Sequence, residues 1–223
     1  MATVSRLTLR PTVAPRLPSA TPVYDQITAN EENNILRLYF AQLDNFTQSL
    51  IASNGGRFLS APYGAFQDTT TQTAVVNTAT AMQLNTVDFA NEVYISNGTK
   101  IRVNNAGIYN LQWSGQFQNT DNASHDLSVW LRQGNDGGTS VDIPGSTGVL
   151  GLPPRKSLGD PFHSIFGWNY FISLNVDDFI EIYWSTDSTA VFMAAYPISA
   201  APPRPTTASV VATLSFVSAL PAI

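Results

Sequence analysis

Between residues 57 and 220 apolar and polar positions alternate, the period-two pattern of strands that bury one face. The alternation predicts strands at Ala74–Val76, Met82–Leu84, Glu92–Ser96, Lys100–Val103, Gly107–Gln118, Asp126–Gln133, Val141–Ile143, Ser164–Leu174, Asp178–Ser185, Val191–Ala195 and Ser209–Val217. Asn-Gly in Ser96-Asn97-Gly98-Thr99 tolerates positive φ and predicts a tight hairpin. Asn135-Asp136-Gly137-Gly138 predicts a second turn, and Pro202, Pro203 and Pro205 punctuate the last loop. Turns at this spacing suit a mostly β fold, an antiparallel sandwich. No repeat at a fixed period appears, which argues against solenoids and propellers.

Residues 29–52 follow another rhythm. Leu36, Tyr39, Leu43, Phe46 and Leu50 recur at alternating spacings of three and four, an a/d seam. Ile35, Leu38, Phe40 and Ile51 widen the apolar stripe, which suits three helices, or docking on another surface, better than a lean dimer. Thr28 followed by Glu31 reads as a capping box, and Gly55-Gly56 ends the helix. A helix this short needs packing, either in a trimeric stalk or against its own β-domain. Upstream, Pro11, Pro15, Pro18 and Pro22 keep the chain extended, and Arg6, Arg10 and Arg16 precede the first acid, Asp25. That pattern suits an arm docking on an acidic partner. The expected division is an arm over 1–27, a helical stalk over 28–54 and a head domain over 55–223.

Composition narrows the function. Charged residues make up 12% of the chain, about half the usual share, while 43% is hydrophobic and 11% aromatic. A core is therefore affordable in apolar residues, and the surface must be polar but neutral, as suits a fold that packs against copies of itself. Net charge is −5 and the 11 Lys and Arg are dispersed, so nucleic-acid binding is not expected. With no cysteine there is no disulfide, thiolate nucleophile or Cys-ligated metal, which fits assembly in a reducing cytoplasm. Neither a signal-peptide h-region nor an apolar run of roughly 18 residues appears, so no membrane insertion is expected.

Catalytic chemistry finds few candidates. His125 and His163 are expected in exposed loops, and no Gly-x-Ser-x-Gly elbow accompanies them. Asp177, Asp178 and Glu181 lie too close in sequence, at a turn and its strand, to face each other across a sugar. Asp121, Asn122 and Asp126, or Asn135 and Asp136, supply oxygen ligands without the spacing of a calcium loop. No phosphate-binding glycine loop is present. The reading is a protein without catalytic residues, metal or cofactor.

Three segments carry a resemblance. Ala106-Gly107-Ile108-Tyr109-Asn110-Leu111-Gln112-Trp113 has the form Gly-x-Tyr-x-apolar-x-apolar, Leu174-Asn175-Val176-Asp177-Asp178-Phe179-Ile180-Glu181-Ile182 is similar to a later Leu-x-x-Gly-Asp turn and strand, and Val210 to Val217 looks like an apolar closing strand. Together, over about residues 70–220, they resemble the jelly roll of the tumour necrosis factor and complement globular-head superfamily. Asp177 departs from the pattern, which has Gly there. The resemblance implies a homotrimer in which aromatics pack along a threefold axis. Tyr109, Trp113, Phe117, Phe171, Tyr183 and Phe216 are then candidates for the head's core or its interface. The run from Arg16-Leu17-Pro18 through Asn34-Ile35-Leu36-Arg37-Leu38-Tyr39-Phe40-Ala41-Gln42-Leu43-Asp44-Asn45 looks like the N-termini of virion structural proteins of tailed bacteriophages, particularly those of marine cyanobacteria. It implies attachment of the N-terminal segment to capsid or tail proteins, with the head projecting from the virion surface as a capsid decoration or head fibre. A tail-fibre or tail-tip component reading host glycans is the alternative, with Trp168 and Trp184 the candidates to stack a sugar. A secreted cytokine-like or lectin domain is more distant, since neither a signal peptide nor cysteines are found.

Overall fold

Asp25 opens the helix α1 (Gln26–Ile51). Its carboxylate accepts the backbone N–H groups of Ile27 and Thr28 at 3.2 and 3.1 Å and the Thr28 hydroxyl at 2.7 Å. These bonds, the Thr28 hydroxyl first, hold the Asp25 carboxyl below the usual range. The expected capping box is therefore corrected: Thr28 lies inside the first turn, and the acid before it caps the free N–H groups. Leu36, Tyr39, Leu43 and Phe46 form one partly exposed stripe, and no described side chain of the helix is buried. Leu38 and Phe40 flank it at 54% and 59% exposure.

The computed structural model describes residues 13–19, 22–51, 61–135 and 137–220, with the side chains of 49–51 excepted. Arg6, Arg10 and the Leu50 side chain lie outside the described residues, and Arg16 is exposed. The chain divides into two units, Met1–Ser60 and Ala61–Ile223.

The second unit consists of strands. In chain order they are β1 (Tyr63–Asp68), β2 (Thr80–Ala81), β3 (Thr86–Asn91), β4 (Val93–Ser96), β5 (Lys100–Val103), β6 (Gly107–Asn119), β7 (His125–Gly134), β8 (Val141–Asp142), β9 (Gly148–Leu152), β10 (Phe162–Leu174), β11 (Phe179–Thr186), β12 (Val191–Met193), β13 (Ser199–Ala200), β14 (Pro203–Arg204) and β15 (Val210–Ser218). The first sheet runs β10-β6-β15-β1-β3, and β12 pairs the end of β6. The second runs β4-β5-β11-β7-β8, with β2 also on β11 and β9 also on β7. Pairing is antiparallel throughout and nested: β1 with β15, β5 with β11, β6 with β10, β7 with β9. A chain doubled back once and rolled pairs in this order, the winding of a jelly roll. Alternate residues of both sheets meet in one core, whose largest fully buried side chains include Trp184, Tyr109, Phe66 and Phe117.

The long strands lie where alternation placed them, and the hairpin at Asn97-Gly98 has positive φ at both residues, 53° and 73°. Two expected strands do not form. Ala74–Val76 is irregular, and only Thr80–Ala81 pairs with β11 beside Met82 and Leu84. Ala74, Met82 and Leu84 are buried in the core even so, which explains their apolar pattern. β1, β3 and β9 escaped the pattern because glycine and mixed polarity interrupt them. Gly148 of β9 has no room for more: a Cβ there would stand 1.9 Å from the Trp168 ring and 2.8 Å from that of Phe166.

The β10–β11 turn has its own point of strain. Asp177, where the resemblance wants glycine, has φ 65°. The turn is held around it: Asp178 is buried and its Oδ2 accepts the Asn175 N–H at 2.8 Å, while Arg102 donates to the Asp177 carbonyl at 2.9 Å.

Candidate functional site

Strand alternation gives each sheet one inner and one outer face, and the two outer faces differ in chemistry. On the first sheet, adjacent strands β10, β6 and β15 contain no Asp, Glu, Lys or Arg along their whole length. Their outward residues lie in rows: Phe171–Asn110–Ser215, Asn169–Gln112–Thr213, Gly167–Ser114–Val211. Ile165 and Phe171 are 69% and 58% exposed, and Val211 is exposed as well. Between β6 and β15 a hollow of about 300 Å³ is lined by residues that include Gln112, Ser114, Val211 and Thr213. Asn110 Oδ1 is enclosed and accepts no hydrogen bond.

The second sheet turns out a charged and aromatic surface. Its outward-pointing residues include Lys100, Tyr183, Trp130, Arg132 and Asp142, which reach solvent at least in part, and Arg102, Phe179 and Glu181, which are buried. Each charge finds compensation within the chain. The Lys100 ammonium sits 4.2 Å from the centre of the Phe179 ring. Arg102 donates to the Ser96 hydroxyl at 2.6 Å, and Thr99 donates to Glu181 at 2.5 Å. Arg132 Nε and Trp130 Nε1 both donate to Asp142 Oδ1, at 2.7 and 2.8 Å, and the guanidinium lies 3.9 Å from the centre of the Tyr183 ring. The Arg132 hydrogen bond, opposed next by burial and aided by Trp130, holds the Asp142 carboxyl below its ordinary range.

The sequence candidates separate accordingly. Tyr109, Trp113 and Phe117 point inward and fill the chain's own core, Phe216 packs on Tyr109 with ring centres 5.6 Å apart, Phe171 points outward on the neutral face, and Tyr183 points outward on the charged one. Burial, with a smaller contribution from Glu92, pushes the Tyr109 phenol up to about 12, and its hydroxyl donates to the Asn105 carbonyl at 2.7 Å. Trp184 is fully buried, and Trp168 lies on the inner face against Trp113 and Phe166, so the two tryptophans expected to stack a sugar are corrected to core residues. Their parity decides this: each lies an even number of residues from a buried neighbour on its strand, Trp168 from Ile172 and Trp184 from Ile182. The outward aromatics not singled out from the sequence include Phe89, Tyr63, Tyr94 and Trp130 and, as a surface residue, Tyr183. The available signal was an aromatic in the same alternate set as a charged residue, Trp130 with Arg132 on β7 and Tyr183 with Glu181 on β11.

Both histidines lie on strands and not in loops. His125 begins β7, partly buried, with Nε2 2.8 Å from Asp121 Oδ2 and Nδ1 3.2 Å from Asp187 Oδ1. A triad would turn the second ring nitrogen to a hydroxyl. Here it meets a second carboxylate, and the ring clamps the β6–β7 loop to the β11–β12 loop. His163 is the second residue of β10, with Nδ1 3.1 Å from the Tyr196 hydroxyl oxygen, which also bonds Gln118. Among the described residues no group of three His, Cys, Asp or Glu is placed to hold a metal ion, and no helix is long and apolar enough to cross a membrane. The sequence matches no protein-family model and no curated protein.

Proposed function

We propose that the protein is a structural component of a virus particle: a homotrimer fixed to the capsid by its N-terminal segment, with the jelly-roll heads projecting as a capsid decoration or head fibre. The observation that carries the reading is the outer face of β10, β6 and β15, free of Asp, Glu, Lys and Arg, with exposed Ile165 and Phe171 and a hollow beside Val211. Covering such a face desolvates no ion, and its neutral amides and hydroxyls can pair with their own kind. A second copy of the chain is the occupant it suits. The stripe of α1 supports the same assembly, because Ile35 and Phe40 broaden the seam of Leu36, Tyr39, Leu43 and Phe46 beyond what two helices cover. The particle itself is inferred from the resemblance of residues 16–45 to phage virion proteins. Three heads on one stalk bind a repeating target by avidity.

Light scattering on the full chain tests the assembly: a mass of about three chains is expected, and a monomer overturns it. Replacing Leu43 and Phe46 with Asp should abolish the trimer, and unchanged trimers would remove the stalk from the proposal. Deleting residues 1–24 should leave a trimer that no longer joins particles; continued incorporation would show that the anchor lies elsewhere.

A further inference from the structure

We propose that the hollow of about 400 Å³ between the end of β1 and the segment before β15 binds a sugar acid, with Arg204 taking its carboxylate and threonine side chains its hydroxyls. Gln67, Thr69, Thr71, Tyr196, Thr206 and Thr207 line it. Its size falls in the range of about 300–1,000 Å³ that holds small molecules. The walls come from three separate stretches of chain, and hydrogen bonds lock them together before any ligand arrives. Tyr196 and Thr207 exchange backbone bonds of 3.0 and 2.9 Å, the Ala195 N–H donates to Thr71 Oγ1 at 3.2 Å, and the Ser209 N–H donates to the Asp68 carbonyl at 2.8 Å. A frame already closed loses little entropy on binding.

Polar capacity is left over inside this frame. The Thr71 and Thr207 hydroxyls each accept a bond, from the Ala195 N–H and from Arg204 Nη1, and donate none among the described residues. The Thr206 hydroxyl has no partner among them. Gln67 spends its side-chain N–H on Asp88 at 2.6 Å, which leaves its carbonyl oxygen to accept. Tyr196 is a wall and not a floor: its hydroxyl is engaged by Gln118 and His163, and the Arg204 guanidinium lies 4.8 Å from the centre of its ring. Recognition therefore runs through hydrogen bonds and not through stacking. Arg204 touches two lining residues, Tyr196 and Thr207, with Nη1 3.4 Å from Thr207 Oγ1, which places it at the rim. It is exposed and pairs with no carboxylate among the described residues, unlike Arg132 with Asp142 and Lys156 with Asp160. An exposed cation beside neutral hydroxyls suits one carboxylate on a polyhydroxylated ring, held by charge-assisted bonds. A phosphate dianion would ask for a second cation, and the neighbour of Gln67 is Asp88 instead. Every wall belongs to one chain, so the site does not rest on the trimer.

Saturation-transfer NMR on the full chain tests it, with the methyl glycosides of glucuronic acid, galacturonic acid and N-acetylneuraminic acid, and methyl β-glucopyranoside as the neutral counterpart. Each is added at about 10 mM, against an expected Kd of about 1 mM for one carboxylate and a few hydroxyl bonds. At least one acid should receive transfer, about tenfold more than the neutral glycoside. Arg204→Gln should reduce it to the neutral level, Arg204→Lys should keep part of it, and Thr206→Val should weaken it about threefold. Arg132→Gln, which removes the same charge from the second sheet, should change nothing. Inorganic phosphate at the same concentration should leave most of the transfer in place. Absence of transfer from all three acids, transfer unaltered in Arg204→Gln, an equal loss in Arg132→Gln, or full displacement by phosphate, the mark of a bare anion site, overturns the proposal. A trimer without transfer defeats only this inference, and a monomer with transfer defeats only the assembly.

Discussion

Strands β6, β10 and β15 hold no Asp, Glu, Lys or Arg, while β5, β7 and β11 carry Lys100, Arg102, Asp126, Arg132 and Glu181. Both sets build the same sandwich and bury the same kind of inner face. The difference lies outside. On the second sheet, the Arg132–Asp142 ion pair, cation–π contacts and a hydroxyl bond engage Lys100, Arg132, Asp142 and Glu181 within one chain. On the first sheet, exposed apolar side chains stand among neutral amides and hydroxyls, and Asn110 Oδ1 lacks a donor. Absence of charge along three neighbouring strands is thus informative in a way that a single exposed Phe is not, because scattered exposed apolar residues are normal in monomers.

The largest expected effect comes from erasing that difference. Gln112→Glu with Thr213→Glu puts two carboxylates at the centre of the neutral face, where association would leave them unpaired at a cost of about 3–5 kcal/mol each. Light scattering should then give the mass of one chain, while Ser185→Glu on the other face leaves the mass of the parent. Equal behaviour of the two variants would break the comparison.

A smaller effect belongs to the place where the sheets close on each other. Gly148→Ala pushes a methyl group into the Trp168 ring. The expected loss is about 1–3 kcal/mol in urea unfolding, as for other overpacked cores. A loss within error would mean that β9 and β10 part easily, and that the two faces are less rigidly opposed than the contact suggests.

Asp177→Gly works in the opposite direction. Its φ of 65° is strained for Asp and natural for Gly, so the β10–β11 turn linking the two sheets should gain about 0.5–1 kcal/mol. Destabilisation would show that the Asp177 side chain contributes something its backbone does not reveal.

The smallest effect tests how complete the charged face is. Asp142 has a carboxyl held below its ordinary value, mainly by Arg132, so its contribution is present in full above the unfolded carboxylate value and is lost as pH falls through the lowered one. Asp142→Asn should therefore cost under about 1 kcal/mol at neutral pH, the scale of an exposed pair, and the gap from the parent should close below about pH 4. A gap that does not narrow as pH falls would assign the effect to packing.

Much of this was legible in residue order. Period-two runs located β6, β7, β10, β11 and β15, and Asn97-Gly98 located a hairpin. Shorter β1, β3 and β9 were not found, because their sequences, YGAFQD, TVDFAN and GVLGL, have no clean alternation; their pairing comes from long-range neighbours. The helix seam was legible, and its start was misplaced because Asp25 competes with Thr28 as a cap and has the stronger charge for the task. The sugar-stacking candidates failed for a different reason. On β10 both alternate sets hold aromatics, Phe166, Trp168 and Tyr170 inward and Phe171 outward, so local pattern could not say which set faces solvent.

Residue order alone determined the strand period, the amphipathic helix and the absence of charge from three of the longest strands, since these are properties of local sequence. Only the tertiary structure decided that β10, β6 and β15 are adjacent, and that Trp130, Tyr183, Arg132 and Asp142 share one face. Nested pairing joins strands far apart in the chain, and their registers follow from closing a common core, which no local periodicity encodes.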